Sequence, residues 1–168
     1  LSATEKDALL FELGKELRKI HSANQKLFEE SGLFPRDGSA DLTERLQLRY
    51  GAAIQKKKDG ISSEKLAFAL CEVETTLQYI HDTDEFVALH ANPYIPHVFV
   101  DEATHKYSGI IDFGDAYIGH PIFDMWYWKA ESRKKLLRGY TSKKPVSAAF
   151  LIIFDTVNEI SRIIDKLR

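Results

Sequence analysis

The middle of the chain follows a different hydrophobic pattern from its two ends. Between residues 86 and 111 the apolar residues come in three short runs, at 86–89, 98–100 and 107–111, and polar residues bound each run. Such runs predict β-strands, and the polar turn between the last two predicts a hairpin. Elsewhere the apolar residues recur at helical spacing. The sequence therefore predicts a mostly helical α+β fold in which helices surround a small sheet.

Capping residues and apolar stripes place three helices ahead of the strands. Ser2 and Glu5 form a capping box, which predicts a helix that ends near His21. The glycines and the proline of residues 29–40 predict a loop. Asp41 can cap a second helix that runs to about residue 55. A third helix begins at Ser62 or Ser63. The predicted core stripes are Leu9, Leu13, Leu17 and Ile20, widened by Leu10, then Leu42 and Leu46, then Leu66, Leu70, Val73, Leu77 and Ile80.

Three more helices are predicted after the strands. Pro121 suits the first turn of a helix that carries Phe123, Met125, Trp126 and Trp128. Residues 133–140 form a second, and Pro145 opens the last. The stripe of this last helix comprises Phe150, Ile153, Phe154, Val157, Ile160 and Ile164.

Composition excludes several classes of protein. The chain has 168 residues, which predicts a single domain over 1–168, and its 44% hydrophobic and 29% charged residues are typical of a globular protein. A formal net charge of −2 gives no electrostatic case for nucleic acid or an anionic membrane as a partner. Cys71 is the only cysteine, which excludes an internal disulfide and fits a reducing, cytoplasmic compartment. Because the chain starts at Leu1 and its one methionine is Met125, we expect it to be part of a longer product.

Two segments carry the residues for phosphate chemistry. A loop led by His90 precedes the second predicted strand, and Asp112-Phe113-Gly114-Asp115 follows the third. Phosphoryl transfer needs metal ions held against the phosphates and a group that orients the attacking hydroxyl. A carboxylate at the end of a strand suits magnesium, and the glycine permits the turn that follows. The layout is therefore that of a kinase-type site.

These motifs resemble the aminoglycoside phosphotransferase family, whose relatives include choline, homoserine and fructosamine kinases. The family's loop reads His-Gly-Asp, four residues, then Asn, and its second motif reads Ile-Asp-Phe/Trp-Gly-Asp. A Gly-Asp-Pro-like turn and an Asp-Leu-Ala-like helix start follow, and an earlier helix ends in Leu-His. The matches here are His90, Ala91 for Gly, Asn92 for Asp, His97 for Asn, residues 111–115, Gly119-His120-Pro121, Asp124-Met125 and residues 13–22.

The resemblance implies the C-terminal lobe of a protein-kinase-like fold. The family's N-terminal nucleotide lobe, with its phosphate-covering strands and lysine, has no counterpart in the chain. The implied activity is ATP-dependent phosphorylation of a small-molecule hydroxyl with Mg²⁺. The implied partners are a small-molecule substrate and a missing N-terminal lobe or partner subunit.

Two of the three positions that match the family's catalytic and metal-binding residues depart from the family pattern. Asp112 matches the magnesium-binding aspartate. Asn92 matches the catalytic aspartate, and an amide cannot accept a proton as a base, although it can orient a hydroxyl. His97 matches the second metal ligand, and imidazole suits zinc, copper or nickel better than magnesium.

Three further positions match supporting residues. By the resemblance, His90 braces the catalytic loop, and Asp115 and Asp124 support it. His90, His97 and Asp112 could instead form a transition-metal site, but a structural role for the histidines is favoured over this alternative.

Three hypotheses for function follow. The chain is an impaired or inactive phosphotransferase domain, or an enzyme whose missing lobe lies upstream and which Asn92 only slows, or a non-catalytic binding or regulatory module. For residues 126–128, packing is favoured over stacking on a sugar. For Asp82, Asp84 and Glu85, a solvated turn is favoured over attraction of a cationic substrate.

Overall fold

The computed structural model describes residues 1–34, 42–57, 59–80 and 86–167. Helices dominate this part of the chain, as predicted. The α-helices are α1 (Ala3–His21), α2 (Gln25–Ser31), α3 (Leu42–Gln55), α4 (Ser63–Leu77), α5 (Ala130–Tyr140) and α6 (Ala148–Asp165). The strands are β1 (Val87–Leu89), β2 (Val98–Val100), β3 (Tyr107–Ile110) and β4 (Tyr117–Gly119), and two 3₁₀-helices span Ile95–His97 and Pro121–Asp124. No helix in the described ranges has both the length and the hydropathy needed to cross a membrane.

The chain divides into two compact units. The first comprises Leu1–Asp37 and Glu85–Val146, and the second comprises Gly38–Asp84 and Ser147–Arg168. Every candidate site residue named above lies in the first unit. A single domain over 1–168 stays a prediction.

Two antiparallel strand pairs organise the first unit. β2 pairs with β3, which confirms the predicted hairpin, and β1 pairs with β4. Strand β4 was not predicted, because its sequence Tyr117-Ile118-Gly119 contains only two consecutive apolar residues before a glycine. Its pairing with β1 places the segment that follows, at Pro121–Asp124, beside the His90 loop.

Helix α1 forms much of the core of this unit. Both hydrogen bonds of the predicted capping box are present, and the helix ends at His21 as expected. Leu13 and Leu17 are fully buried. Leu10, which was predicted to widen this stripe, is buried, whereas Leu9 and Ile20, which were also predicted to face the core, are half-buried.

Helices α1 and α5 approach so closely that glycine is required on both. A Cβ added at Gly14 would lie 2.1 Å from the carbonyl oxygen of Leu136. A Cβ added at Gly139 would lie 1.9 Å from the carbonyl oxygen of Phe11. Each helix therefore uses a glycine to accept the backbone of the other.

The second unit is built from α3, α4 and α6. Ser62 caps α4 as predicted, with its side chain accepting from the N–H of Lys65. The hydroxyl of Tyr50 on α3 donates to the carbonyl of Val157 on α6 at 3.3 Å. The predicted stripe of α6 is correct at every position, since all of these residues are buried: Phe150, Ile153, Phe154, Val157, Ile160 and Ile164.

Four predicted boundaries were wrong, the first being the start of α5, which lies at Ala130 and not at residue 133. Residues 29–31 belong to α2, which Asn24 caps and Gly32 ends with φ of 62°, and the two adjacent apolar residues of this short helix form no stripe to reveal it. The last helix begins at Ala148, because Ser147 accepts from the N–H of Phe150 at 3.0 Å. Pro121 opens a single 3₁₀ turn, so Trp126 and Trp128 lie beyond it in turns and not on a helix. The predictions for Asp41, residues 35–40, Asp82, Asp84 and Glu85 lie outside the described residues.

His120 couples the stability of the first unit to pH. Its ring is 2% exposed and its Nδ1 accepts the N–H of Ile122 at 3.2 Å. Burial lowers the pKa of this imidazole from 6.5 to about 3, and His21 adds a smaller contribution of the same sign. Between these pH values the unfolded chain binds a proton that the folded chain excludes. Stability is therefore lost as the pH falls through this window.

We expect the free energy of unfolding to fall by about 2 kcal/mol between pH 6.5 and pH 5 because of His120. His120→Asn keeps a capping acceptor and removes the titration, so this part of the pH dependence should disappear. Urea denaturation of both proteins across this range measures the difference. Parallel curves for the two proteins would contradict the prediction.

Candidate active site

The loop at residues 90–97 is held through its backbone by one buried carboxylate. The N–H of His90 donates to Asp124 Oδ2 at 2.9 Å, and the N–H of Ala91 donates to Asp124 Oδ1 at 2.7 Å. Asp124 is completely buried. Charge-assisted hydrogen bonds of this kind are stronger than neutral ones. Asp124 therefore sets the path of the loop at its first two residues.

A histidine from α1 completes the environment of that carboxylate. His21 Nε2 lies 2.9 Å from Asp124 Oδ2, and its Nδ1 lies 2.9 Å from the hydroxyl of Tyr140 on α5. Since a carboxylate accepts, Nε2–H is the donor. This chain of contacts joins both helices to the loop.

His90 uses both ring nitrogens to connect the two motifs. Its Nδ1 accepts the N–H of Asn92 at 3.3 Å, so Nε2–H donates to the carbonyl of Ile111 at 2.9 Å. The N–H of Ile111 in turn donates to the carbonyl of His97 at 3.1 Å. The loop and the end of the hairpin are thus tied together directly ahead of Asp112.

Two residues of the site adopt backbone conformations that favour glycine. Ala91 has φ of 70° and Asp112 has φ of 69°. Left-handed conformations cost a non-glycine residue roughly 1–2 kcal/mol. The hydrogen bond from Ala91 to Asp124 helps to hold the first in place. Ala91 stands where the family pattern has glycine, and its φ explains that preference.

Asn92 lies at the mouth of the loop with its side chain oriented. Its Nδ2–H donates to Asp115 Oδ2 at 3.3 Å. The amide is half-buried, whereas Asp115 is exposed. The side chain at position 92 therefore faces the second motif, and its Oδ1 can accept from a bound hydroxyl.

His97 and Asp112 face each other across the site. His97 Nδ1–H donates to the carbonyl of Asn92 at 2.8 Å, which directs Nε2 toward Asp112. Nε2 lies 3.4 Å from Asp112 Oδ2. The carboxylate is largely exposed, while the imidazole is mostly buried. A hydrogen bond from one ring nitrogen to a carbonyl is the usual arrangement that orients a metal-binding histidine.

Among the described residues, no group of three or more His, Cys, Asp or Glu side chains is placed to hold a metal ion. The alternative transition-metal site of His90, His97 and Asp112 is therefore wrong as a three-residue site. The reason is that both nitrogens of His90 are engaged by Asn92 and Ile111. Asp112 and His97 remain as a pair.

Comparison with known proteins decides the family. The model of the phosphotransferase enzyme family matches residues 1–140. The chain belongs to this phosphotransferase family. The resemblance drawn from the motifs is thereby confirmed. No match was found among curated proteins.

Solved phosphotransferase structures share the fold of this family member. The GDP complex of aminoglycoside 2'-phosphotransferase-IIIa is 16% identical, with a TM-score of 0.65 over 99% of this chain and 55% of its own. Macrolide 2'-phosphotransferase type I is 17% identical, with a TM-score of 0.58 over 93% of this chain and 51% of its own. The streptomycin-ATP complex of APH(2")-IIa is 21% identical, with a TM-score of 0.55 over 98% of this chain and 58% of its own. The chain thus spans little more than half the length of these proteins, and the predicted kinase-like fold class is confirmed.

The fold brings all the predicted site residues of this phosphotransferase-family chain into one cluster, and their roles stay predictions. Two participants were missed, His21 and Tyr140. His21 stands four residues after Leu17 on the buried face of α1, and a polar residue on an apolar stripe is a usable signal. Tyr140 gave no such signal.

Proposed function

We propose that the chain is the cation- and acceptor-binding part of a small-molecule phosphotransferase whose proton-accepting step is impaired. The observation that carries this proposal is Asn92, an amide held by Asp115 in a loop whose backbone Asp124 still anchors. The scaffold of the site is retained, while the side chain that would accept the proton is exchanged. The proposal places the protein in the cytoplasm, in keeping with its single cysteine.

The residues present fit a divalent cation held by two side chains. Asp112 supplies the oxygen that magnesium prefers, and His97 supplies a nitrogen that ions such as Mn²⁺ accept more readily. A bound cation would offset the negative charge of nucleotide phosphates. We therefore propose Mg²⁺ or Mn²⁺ with ATP or GTP as the cofactor.

The acceptor hydroxyl would meet Asn92. Its Oδ1 can accept a hydrogen bond and so orient the hydroxyl, which supports binding. It cannot take the proton away, and loss of a general base costs about 10²–10⁴-fold in rate. The solved neighbours include complexes with streptomycin and gentamicin, and we propose a small molecule with hydroxyl groups as the acceptor here.

Calorimetric titration with Mn²⁺, and with Mg²⁺ and ATP together, tests the cation pair. We expect Asp112→Asn to weaken Mn²⁺ binding at least about tenfold, because carboxylate is the only anionic ligand of the pair. The matched control is Asp155→Asn, an exposed carboxylate on α6, which should bind as the unaltered chain does. Equal affinity in the Asp112 and Asp155 variants would contradict the proposed site.

A transfer assay tests the impairment. With γ-labelled ATP or GTP and aminoglycoside or macrolide acceptors, we expect no transfer by the unaltered chain above the protein-free blank. Rapid transfer by the unaltered chain would refute the proposal. Transfer gained by Asn92→Asp would assign the loss to position 92.

A non-catalytic binding module is the second candidate, and Asn92 also favours it. It would bind the same cation and ligand but gain no transfer in Asn92→Asp. Ligand binding that survives Asp112→Asn would favour it as well.

A further inference from the structure

Two exposed aromatic rings lie next to the Asn92 loop. Tyr94 and Tyr127 face each other with ring centroids 6.1 Å apart and an angle of 28° between planes. Their side chains are 39% and 46% exposed. The N–H of Tyr94 donates to the carbonyl of Asn92 at 3.0 Å. The ring pair therefore lies next to Asn92, where the acceptor hydroxyl is proposed to bind.

The ring pair is fixed to the loop from both sides. The indole N–H of Trp128 donates to the carbonyl of Pro93 at 2.7 Å, which ties the segment of Tyr127 to the loop. The ring of His97 meets Tyr94 edge-on, with centroids 5.0 Å apart and an angle of 70°. The rings therefore keep their place without a ligand, which lowers the entropy cost of binding one.

The surroundings of the ring pair carry hydrogen-bonding groups but no free carboxylate from its own segments. Within 93–100 and 116–130 the sequence contains one acidic residue, Asp124, which is buried and already bound to the loop. In the part of the chain that the structure describes, neither phenol oxygen has a hydrogen-bond partner. The exposed carboxylates of the site, Asp112 and Asp115, belong to the second motif at the Asn92 end. The segments of the ring pair itself therefore offer no carboxylate to a polycation, whereas they offer two hydroxyls to an uncharged polyol.

We propose that Tyr94 and Tyr127 form the binding platform for an uncharged sugar ring of the acceptor. The apolar C–H face of a pyranose lies against the aromatic faces, and the phenol hydroxyls bond its rim. The sugar's free hydroxyl then points along the loop to Asn92. This inference rests on the proposed function, since it names the class of acceptor at the same site.

Saturation-transfer NMR tests the platform without requiring catalysis. The probes are methyl β-D-glucopyranoside, methyl β-D-galactopyranoside and methyl α-D-mannopyranoside, with the diamine 2-deoxystreptamine as the charged comparison. We expect transfer from the protein to the ring C–H protons of at least one glycoside. Tyr94→Ala and Tyr127→Ala should each weaken its binding about two- to tenfold.

Two variants separate stacking from other effects. Tyr94→Phe keeps the ring and should bind more tightly than Tyr94→Ala. Tyr79→Ala removes a tyrosine that is 67% exposed in the turn after α4 and should leave glycoside binding unchanged. The platform is refuted if no glycoside receives saturation, if Tyr94→Ala and Tyr79→Ala bind alike, or if 2-deoxystreptamine is the ligand that both platform variants weaken.

The two proposals can fail separately. Mn²⁺ binding that depends on Asp112, without any glycoside contact, would refute the platform and leave the cation site standing. Glycoside contact that depends on Tyr94, without Mn²⁺ binding, would support the platform and refute the cation site.

Discussion

Asp124→Ala is expected to lower the free energy of unfolding by about 3–5 kcal/mol. The carboxylate is fully buried and accepts from two loop amides and from His21 Nε2, at 2.7, 2.9 and 2.9 Å. Its removal leaves three buried donors without an acceptor, and each loses its hydrogen bond without regaining water. A cavity the size of the carboxylate adds to the loss.

Urea denaturation of the variant and of Asp155→Ala measures this effect against an exposed carboxylate. Surface substitutions of that kind change stability by roughly 0.5 kcal/mol or less. The Ala91 and His90 amides should also exchange hydrogen faster in Asp124→Ala. A loss no larger than that of the Asp155 control would show that Asp124 does not support the loop.

Gly139→Ala is expected to destabilise the protein by about 3 kcal/mol. The added Cβ would lie 1.9 Å from the carbonyl oxygen of Phe11, which is backbone within α1 and cannot rotate away. The two helices must move apart, and the packing around Leu13 and Leu17 loosens with them. Gly14→Ala should act in the same direction, with its contact at 2.1 Å from Leu136.

Gly51→Ala provides a control in which the change in stability is expected to have the opposite sign. Gly51 lies inside α3, and a Cβ there meets nothing within 4 Å. Alanine is favoured over glycine in a helix by about 1 kcal/mol, so this variant should be stabilised. Thermal unfolding of all three variants gives the comparison. Stabilisation by Gly139→Ala would mean that α1 and α5 lie further apart than described.

The sequence predicted the parts of the fold that repeat a pattern. The stripe of α6 and the capping box of α1 are long or specific signals, and both were correct. Helix α2 was missed because its only two apolar residues, Leu27 and Phe28, are adjacent and show no helical period. Strand β4 was missed because it has only two consecutive apolar residues before a glycine. The turn at Pro121 was taken for a helix, because one 3₁₀ turn and the start of an α-helix have the same sequence signals.

The candidate site was also predicted only in part from the sequence. The motifs placed Asn92, His97 and Asp112, because each occupies a fixed position in a recognisable spacing. The contacts among them could not be predicted, since they depend on backbone carbonyls and on ring orientation. His21 is more than a hundred positions away in sequence from each of its partners, Asp124 and Tyr140, and only tertiary structure brings them together.

The anchoring of the loop through amide groups has a consequence for its history. Asp124 contacts main-chain atoms, which every residue type possesses, so the codon at position 92 can change without disturbing the loop. Codons for asparagine and aspartate differ at a single base. A single base change at this position therefore replaces an aspartate with an asparagine while the loop keeps its structure. One further base change restores the aspartate.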